Sequence, residues 1–421
     1  MEVNVMPSVI GGEITVPPSK SAAHRAIIAA ALAYGTSIID NVDLSADISA
    51  TIDACKSIGA RISIKNTGRY HSLTVEGGPH IRGSAHIDCA ESGSTLRFFI
   101  PIACALGGPK VFDGHGRLPQ RPIDTYYDIF TQDSIVYSKP DDGNLPLTVS
   151  GTLNGGNYVL DGGVSSQYIT GLLFALPLLD ADSTITVTGK FESKGYVDLT
   201  VSILADFGIH TTVTGNTYAI KGGQRYSPRR YAVEGDYSQA AFFIVGGAIA
   251  GDIRVGGLAP TSLQPDSAIV DIMRRMGAHI SHEGDTLLVR KSTLSGTDID
   301  VSQCPDLVPP LAIAAAFATG TTHITGAARL RIKESDRLAA MSNNLRSLGI
   351  DASTTDDSMS IRGGAISQGT IDSHNDHRIA MAFSIAALGS SHGLLIKDAQ
   401  SIDKSYPGFF TDLKRLGGII S

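Results

Sequence analysis

The feature that most constrains this chain is a repeat. Along its 421 residues, six Ala-rich, nearly all-apolar segments begin: "SAAHRAIIAAALAYGTSIIDNV", "GSTLRFFIPIACALGGPKVFDG", "SQYITGLLFALPLLDADSTITVTG", "SQAAFFIVGGAIAGDIRVGG", "DLVPPLAIAAAFATGTTHITGA" and "DHRIAMAFSIAALGSSHGLLIKDA". Their starts lie about 70 residues apart, a spacing that marks duplication of one structural unit. Each segment runs into a turn and then an alternating, β-branched stretch, the pattern of a helix followed by a strand. Five of the six units then supply a second helical stretch closing on an apolar residue and Gly, as in "IDACKSIGARISI" and "IVDIMRRMGAHISH". The second unit, with "YYDIFTQDSIVYS", lacks that Gly and reads as degenerate.

Each unit therefore reads as strand, helix, strand, helix and one or two strands, which makes the fold α/β. A chain of this length exceeds one ordinary compact core, so two domains are expected. The first helix of each unit is apolar on every face and belongs inside. The second is amphipathic, and offers Arg274, Arg275, Lys414 and Arg415 to water.

No apolar run is long enough to span a bilayer without interruption, so no membrane partner is expected. The opening "MEVNVMPSVIGG" lacks the basic and apolar regions of a leader, which leads to the expectation of a cytoplasmic chain. Cys55, Cys89, Cys104 and Cys304 are scattered without metal spacing and read as reduced, mostly buried thiols. A net charge of -7 argues against nucleic acid as a partner, because phosphate-backbone affinity needs a basic face. Anion binding must come from local clusters.

The unusual residues gather where each unit's first helix starts: "PSKSAAHR", "ESGSTLR", "VSSQYIT", "EGDYSQAAF", "PDLVPP" and "NDHRIAM". Ser, Asp, Asn and Gly there have an ordinary explanation in helix capping. Capping does not call for Lys20, Arg25, Arg97 or Arg378. Cations at the positive end of a helix dipole repel it, so an anion between them is the simplest account. "GRLPQRPID" adds Arg117 and Arg121, "RLRIKESDRL" adds Lys333, Glu334 and Arg337, and "DAQSIDKSYPGF" adds Lys404. Glu334 and Arg337 could alone be a surface i,i+3 pair, and Lys404 a solvated loop residue.

"PPSKSAAHRA", "VSSQYITGLL", "RIKESDRL" and "NDHRIAMAF" resemble, in order and along the whole chain, the signature segments of the EPSP synthase family of enolpyruvyl transferases. The resemblance implies a two-domain enolpyruvyl-transferase-like fold with six βαβαββ repeats, three per domain around a pseudo-threefold axis. It places one domain at residues 18 to 232 and the other at 1 to 17 with 233 to 421, with the active site in the cleft between them. The implied reaction joins phosphoenolpyruvate to the 5-hydroxyl of shikimate 3-phosphate and releases phosphate, a step toward aromatic amino acids. No cofactor or metal is implied, and the family's usual state makes a monomer the expectation.

Carried over by motif, the resemblance assigns shikimate 3-phosphate to Lys20, Ser21, Arg25, Ser165, Ser166, Gln167, Ser193, Tyr196, Asp306 and Lys333. It assigns phosphoenolpyruvate to Lys20, Gly93, Arg121, Gln167, Arg337, Arg378 and Lys404. Two phosphates at about -1.5 to -2 each, plus two carboxylates, require several cations, and these residues supply them. The addition-elimination chemistry needs proton transfers. Asp306 is the expected base at the 5-hydroxyl, with Lys20 as proton partner, and Glu334 assisted by His377 is expected to handle the proton at the methylene carbon. Cationic neighbours lower a carboxyl pKa, so an acid role for Glu334 requires burial to offset them. Anionic ligands are expected to draw the domains together.

The chain departs from the family in two places. Glu91, Ser92, Gly93 and Ser94, followed by Phe98, stand where the family has Asn, a small residue, Gly and Thr, with proline after the arginine. Glu91 is expected either to point away from the anion site or to pair with Arg97. Arg329 replaces an asparagine that the family uses toward shikimate 3-phosphate. The rival UDP-N-acetylglucosamine enolpyruvyl transferase carries a reactive cysteine in the loop matching "HGRLPQRPID" and Lys-Asn where Lys20-Ser21 stands, and neither is present. A non-catalytic repeat protein that binds partners along its surface is a second rival, and it leaves the cations at helix starts unexplained.

Overall fold

The computed structural model describes residues 1–78 and 84–421. The chain divides into two compact units, one of Met1–Ser19 with Glu234–Ser421 and the other of Lys20–Val233. Each unit has its own apolar core.

Twelve α-helices are described: α1 (Lys20–Leu32), α2 (Ala46–Ser57), α3 (Gly93–Leu106), α4 (Asp124–Asp133), α5 (Ser166–Ala175), α6 (Lys194–Asp206), α7 (Tyr237–Ala250), α8 (Ile269–Arg275), α9 (Val308–Ala316), α10 (Arg337–Ser347), α11 (His377–Leu388) and α12 (Phe409–Arg415). The odd-numbered helices open the six repeats. They are buried on nearly every face, as their composition demands, and every residue of α9 and α11 is buried. The even-numbered helices keep a wet face, on which Arg274, Arg275, Lys414 and Arg415 are exposed.

Among the described residues six four-stranded sheets accompany the helices, all with one topology. In the third repeat Gly156–Asp161 pairs in parallel with Ser183–Thr188 across α5, and Ser183–Thr188 pairs antiparallel with Thr217–Ile220. Thr211–Thr214 then lies at the far edge. This order recurs, but three repeats borrow a strand from elsewhere in the chain. Arg230–Ala232 completes the sheet of the first repeat beside Gly35–Val42. Ile10–Thr15 pairs with Gly251–Gly256 in the fourth, and Val3–Met6 lies between Leu394–Lys397 and Ile419–Ile420 in the sixth.

The second repeat is not degenerate in its helix. α4 is formed, and Ser134 takes the left-handed conformation (φ 56°) that Gly59, Gly208, Gly277, Gly349 and Gly417 take elsewhere. In all six repeats the amide of the next residue bonds back to the carbonyl five positions earlier, for example Ile135 to Phe130 at 2.8 Å and Ala278 to Met273 at 2.9 Å. The missing glycine hid a helix stop that serine can also make.

Cys55, Cys89, Cys104 and Cys304 are buried and unbridged. No helix among the described residues is long and apolar enough to cross a membrane.

Candidate active site

In the Lys20–Val233 unit, the first two turns of α1 present Lys20, Ser21 and Arg25. Lys20 Nζ lies 2.6 Å from Asp47 Oδ2 in the first turn of α2. Arg25 points the other way and is buried. Its guanidinium donates to Thr200 Oγ1 (2.8 Å), the carbonyls of Ser21 (2.8 Å) and Tyr196 (3.1 Å), and Thr170 Oγ1 (3.4 Å). Burial pushes the Arg25 pKa down to about 10, with Tyr196 and Tyr231 acting in the opposite sense, so the group stays charged at neutral pH. The sequence-predicted residues Ser21, Arg25 and Tyr196 thus meet in one network.

A second group in this unit centres on the starts of α3 and α5. Ser92 and Ser165 do cap these helices, accepting from the amides of Thr95 and Gln167. Ser166 and Ser193 are buried beside the starts of α5 and α6, and Ser193 adopts a left-handed conformation. Gln167 is held at both ends of its amide: Arg97 donates to Oε1 at 2.7 Å, and Nε2 donates to Ser94 Oγ at 2.9 Å. Arg97 also bonds the carbonyl of Pro122 and lies over the Tyr168 ring. Gly93 lets the Arg121 guanidinium approach: a Cβ at this position would sit 2.6 Å from Arg121 Nη1. The Glu91 carboxylate lies against Gly116, where an added Cβ would come within 2.6 Å of Glu91 Cδ.

The other unit concentrates charge around Arg337, which is 1% exposed. Its guanidinium donates to Asp376 (Nε to Oδ2, 2.8 Å; Nη2 to Oδ1, 3.2 Å), Asp306 Oδ1 (3.0 Å) and Glu334 Oε2 (2.7 Å). The Glu334 pair is therefore not a surface pair. Asp306 collects two further cations, Arg378 Nη2 at 3.3 Å and Lys333 Nζ at 3.6 Å. Burial alone would raise the Asp306 pKa, but Arg378, Lys333 and Arg337 together hold it far below the carboxylate range. Asp376 also caps α11 through the Arg378 amide and accepts from Ser335 Oγ. His377 is buried, its Nδ1 3.9 Å from Asp376 Oδ1. Lys404 Nζ donates to the Asn375 carbonyl at 2.9 Å, beside this helix start. Arg329 turns to the Ser302 carbonyl.

The structure thus gathers Asp306, Lys333, Glu334, Arg337, His377, Arg378 and Lys404 in one unit, and Lys20, Ser21, Arg25, Gly93, Arg121, Gln167 and Tyr196 in the other. Sequence reading missed Asp47 and Asp376, the carboxylates that hold Lys20 and Arg337. Both stand in or beside the quoted stretches, and the signal available was an acidic residue in a helix's first turn or at its cap, which capping explains equally well. Among the described residues no group of three or more His, Cys, Asp and Glu side chains forms a metal-binding cluster.

Six βαβαββ units, with cations and carboxylates gathered at several of their helix starts, define an enolpyruvyl-transferase-like protein. A solved enolpyruvyl transferase, NikO from Streptomyces tendae, shares this fold at 17% identity and a TM-score of 0.79, covering 100% of this chain and 98% of that one. The family profile of EPSP synthase (3-phosphoshikimate 1-carboxyvinyltransferase) matches residues 6–413, and the chain belongs to that family. It is 46% identical to a 3-phosphoshikimate 1-carboxyvinyltransferase of Clostridium novyi (strain NT), over 99% of this chain and 98% of the relative. The solved EPSP synthase of Acinetobacter baumannii superposes with a TM-score of 0.80 at 28% identity, covering 100% of this chain and 99% of that one.

Proposed function

We propose that this chain carries out its family's reaction, transferring the enolpyruvyl group of phosphoenolpyruvate to the 5-hydroxyl of shikimate 3-phosphate with release of phosphate. The observation that carries the reading is the convergence of Lys333, Arg337 and Arg378 on the single carboxylate of Asp306, at 3.6, 3.0 and 3.3 Å. Arg337 is also paired with Glu334 and Asp376, so three cations and three carboxylates share one cluster, and cations gathered in this way suit substrates that bring phosphates and carboxylates of their own.

In this reading the two charged groups act on one pair of substrates. Lys20, Ser21, Arg25, Ser165, Ser166, Gln167, Ser193, Tyr196, Asp306 and Lys333 serve shikimate 3-phosphate. Lys20, Gly93, Arg121, Gln167, Arg337, Arg378 and Lys404 serve phosphoenolpyruvate. Asp306 takes the proton of the 5-hydroxyl, and Lys20 partners that transfer. Paired with three cations that stabilise its charged form, Asp306 is a weak base. Anionic substrates that engage Arg378, Arg337 and Lys333 draw positive charge from it and raise its basicity. Glu334, with His377 close to the same carboxylate network, serves the methylene carbon.

The test is phosphate release by the purified protein. Phosphoenolpyruvate with shikimate 3-phosphate is expected to give turnover, whereas UDP-N-acetylglucosamine as acceptor is expected to give none. Turnover with the sugar nucleotide alone would assign the chain to the rival transferase reaction.

A further inference from the structure

We propose that His24 is a positioning residue for this reaction, tying the second turn of α1 to the N-cap of α3 through a one-way chain of hydroxyl hydrogen bonds. The inference rests on the function proposed above, and turnover by the unaltered protein tests that function separately.

The chain runs from His24 Nδ1 to Thr51 Oγ1, on to Thr95 Oγ1 and then to Ser92 Oγ, each step 2.7 Å. All four side chains are at most 1% exposed. It crosses from α1 through α2 to α3, and stands one helical turn inside the Lys20 to Asp47 ion pair. Its direction follows from counting protons. Ser92 Oγ accepts both the amide and the hydroxyl of Thr95. Thr95 has no second proton, so Thr51 must donate to Thr95. Thr51 then has none left, so His24 must donate from Nδ1.

That count fixes the tautomer. Nε2 carries a bare lone pair, and among the described residues it has no partner. A second proton there would have no acceptor, and it would put a third positive charge beside Lys20 and Arg25. Burial foremost, then Lys20 and Arg25, hold the imidazole pKa well below its ordinary value, in keeping with a neutral ring. The ring is further fixed edge-on against Phe98, which also packs against the Arg25 guanidinium and the Phe174 ring.

The consequence is a fixed spacing between two binding groups. At one end of the chain lie Lys20, Ser21 and Arg25. At the other, Ser92 caps the turn that presents Gly93 to Arg121 and Ser94 to Gln167. The expected readout is a split between the two substrates, which general loss of stability would not produce.

Full-length Thr51→Val and His24→Leu interrupt the chain, and each is expected to raise KM for phosphoenolpyruvate about tenfold, the scale of one lost neutral hydrogen bond. In both, kcat should change by less than about threefold, and affinity for shikimate 3-phosphate alone by less than about twofold. His24→Asn can donate an amide proton from nearly the same place, and Thr95→Ser keeps the hydroxyl, so both should stay within about twofold of the unaltered protein. The proposal is overturned if His24→Asn behaves no better than His24→Leu. It is equally overturned if the phosphoenolpyruvate KM of the interrupting variants is unchanged, or if both substrates weaken in parallel. Should Thr51→Val not fold, the comparison of Asn with Leu at position 24 decides alone.

Discussion

Arg337 and Asp376 form a two-bond ion pair, at 2.8 and 3.2 Å, between side chains that are 1% and 0% exposed. Two ions so buried hold one another's charge in place. The Arg337 pKa, which burial alone would lower, is driven above its ordinary value by Asp376 first, then Glu334 and Asp306. Asp376 thereby fixes the start of α10 against the start of α11, and with it the direction in which Arg337 faces Asp306.

Removing Asp376 takes from Arg337 its only fully buried carboxylate partner among the described residues and from α11 its cap, leaving the guanidinium with Asp306 and Glu334. Asp376→Ala is expected to cost about 3–5 kcal/mol in the unit that carries it, read from urea unfolding. Loss below about 1 kcal/mol would mean that the guanidinium finds other partners and that the pair is incidental.

Gly93 sets a second distance. A methyl group there would overlap the Arg121 guanidinium, with contacts of 2.6 to 2.9 Å. The arginine is a flexible side chain and can move away, so Gly93→Ala should fold normally while displacing a group assigned to phosphoenolpyruvate. KM for that substrate should rise by about tenfold or more, with KM for shikimate 3-phosphate nearly constant. Equal KM values for the variant and the parent would remove Arg121 from the site.

How much of this was legible beforehand can be judged residue by residue. The odd-numbered helices announced themselves because a segment such as "SQAAFFIVGGAIA" has no polar face to show to water. The second helix of the second repeat was misread because Ser134 occupies a left-handed position usually given to glycine. The borrowed strands were invisible for another reason. Arg230–Ala232 and Gly35–Val42 are neighbours only after folding, and local periodicity carries no record of partners so distant. The same holds at the site. Cations at helix starts stood out as anomalies, whereas Asp47, Asp376 and His24 looked like ordinary first-turn and capping residues until their partners came within reach.

Ser134 offers a direct stability test. A non-glycine residue at φ 56° pays a steric penalty that glycine avoids, and the position is exposed. Ser134→Gly is expected to stabilise its unit by about 1 kcal/mol, and Gly277→Ala, at the equivalent stop of the fourth repeat, to destabilise by a similar amount. The urea midpoints should therefore move in opposite directions. A loss of stability in Ser134→Gly would show that the hydroxyl holds the stop in place.

The depressed pKa of Asp306 gives a prediction with a definite sign. A carboxyl whose folded-state pKa lies below its unfolded value of about 3.9 contributes stability at higher pH and loses it as pH falls. The stability difference between the parent and Asp306→Asn should therefore be flat from about pH 8 to 5 and shrink below about pH 4. A difference that changed instead between about pH 5 and 7 would place the titration of Asp306 in that range, and the three cations would not be controlling it.

The ion pair of Lys20 with Asp47 separates catalysis from structure most sharply. Its members are 18% and 15% exposed, a part-buried pair that still reaches water, so its loss should cost about 1–2 kcal/mol of stability, less than the fully buried pair of Arg337 with Asp376. Lys20→Met keeps most of the side chain's apolar length and removes the charge. If Lys20 stabilises developing negative charge and passes a proton, turnover should fall by at least about a hundredfold while the urea midpoint falls by no more than that cost. Asp47→Asn keeps the ammonium but loosens its anchor, so kcat should fall by a smaller factor, about tenfold, from imperfect placement alone. The ordering is the test. A Lys20→Met protein that still transfers enolpyruvyl at the parent rate would leave Lys20 as a structural partner of Asp47, and Asp47→Asn and Lys20→Met would then be indistinguishable in every kinetic constant.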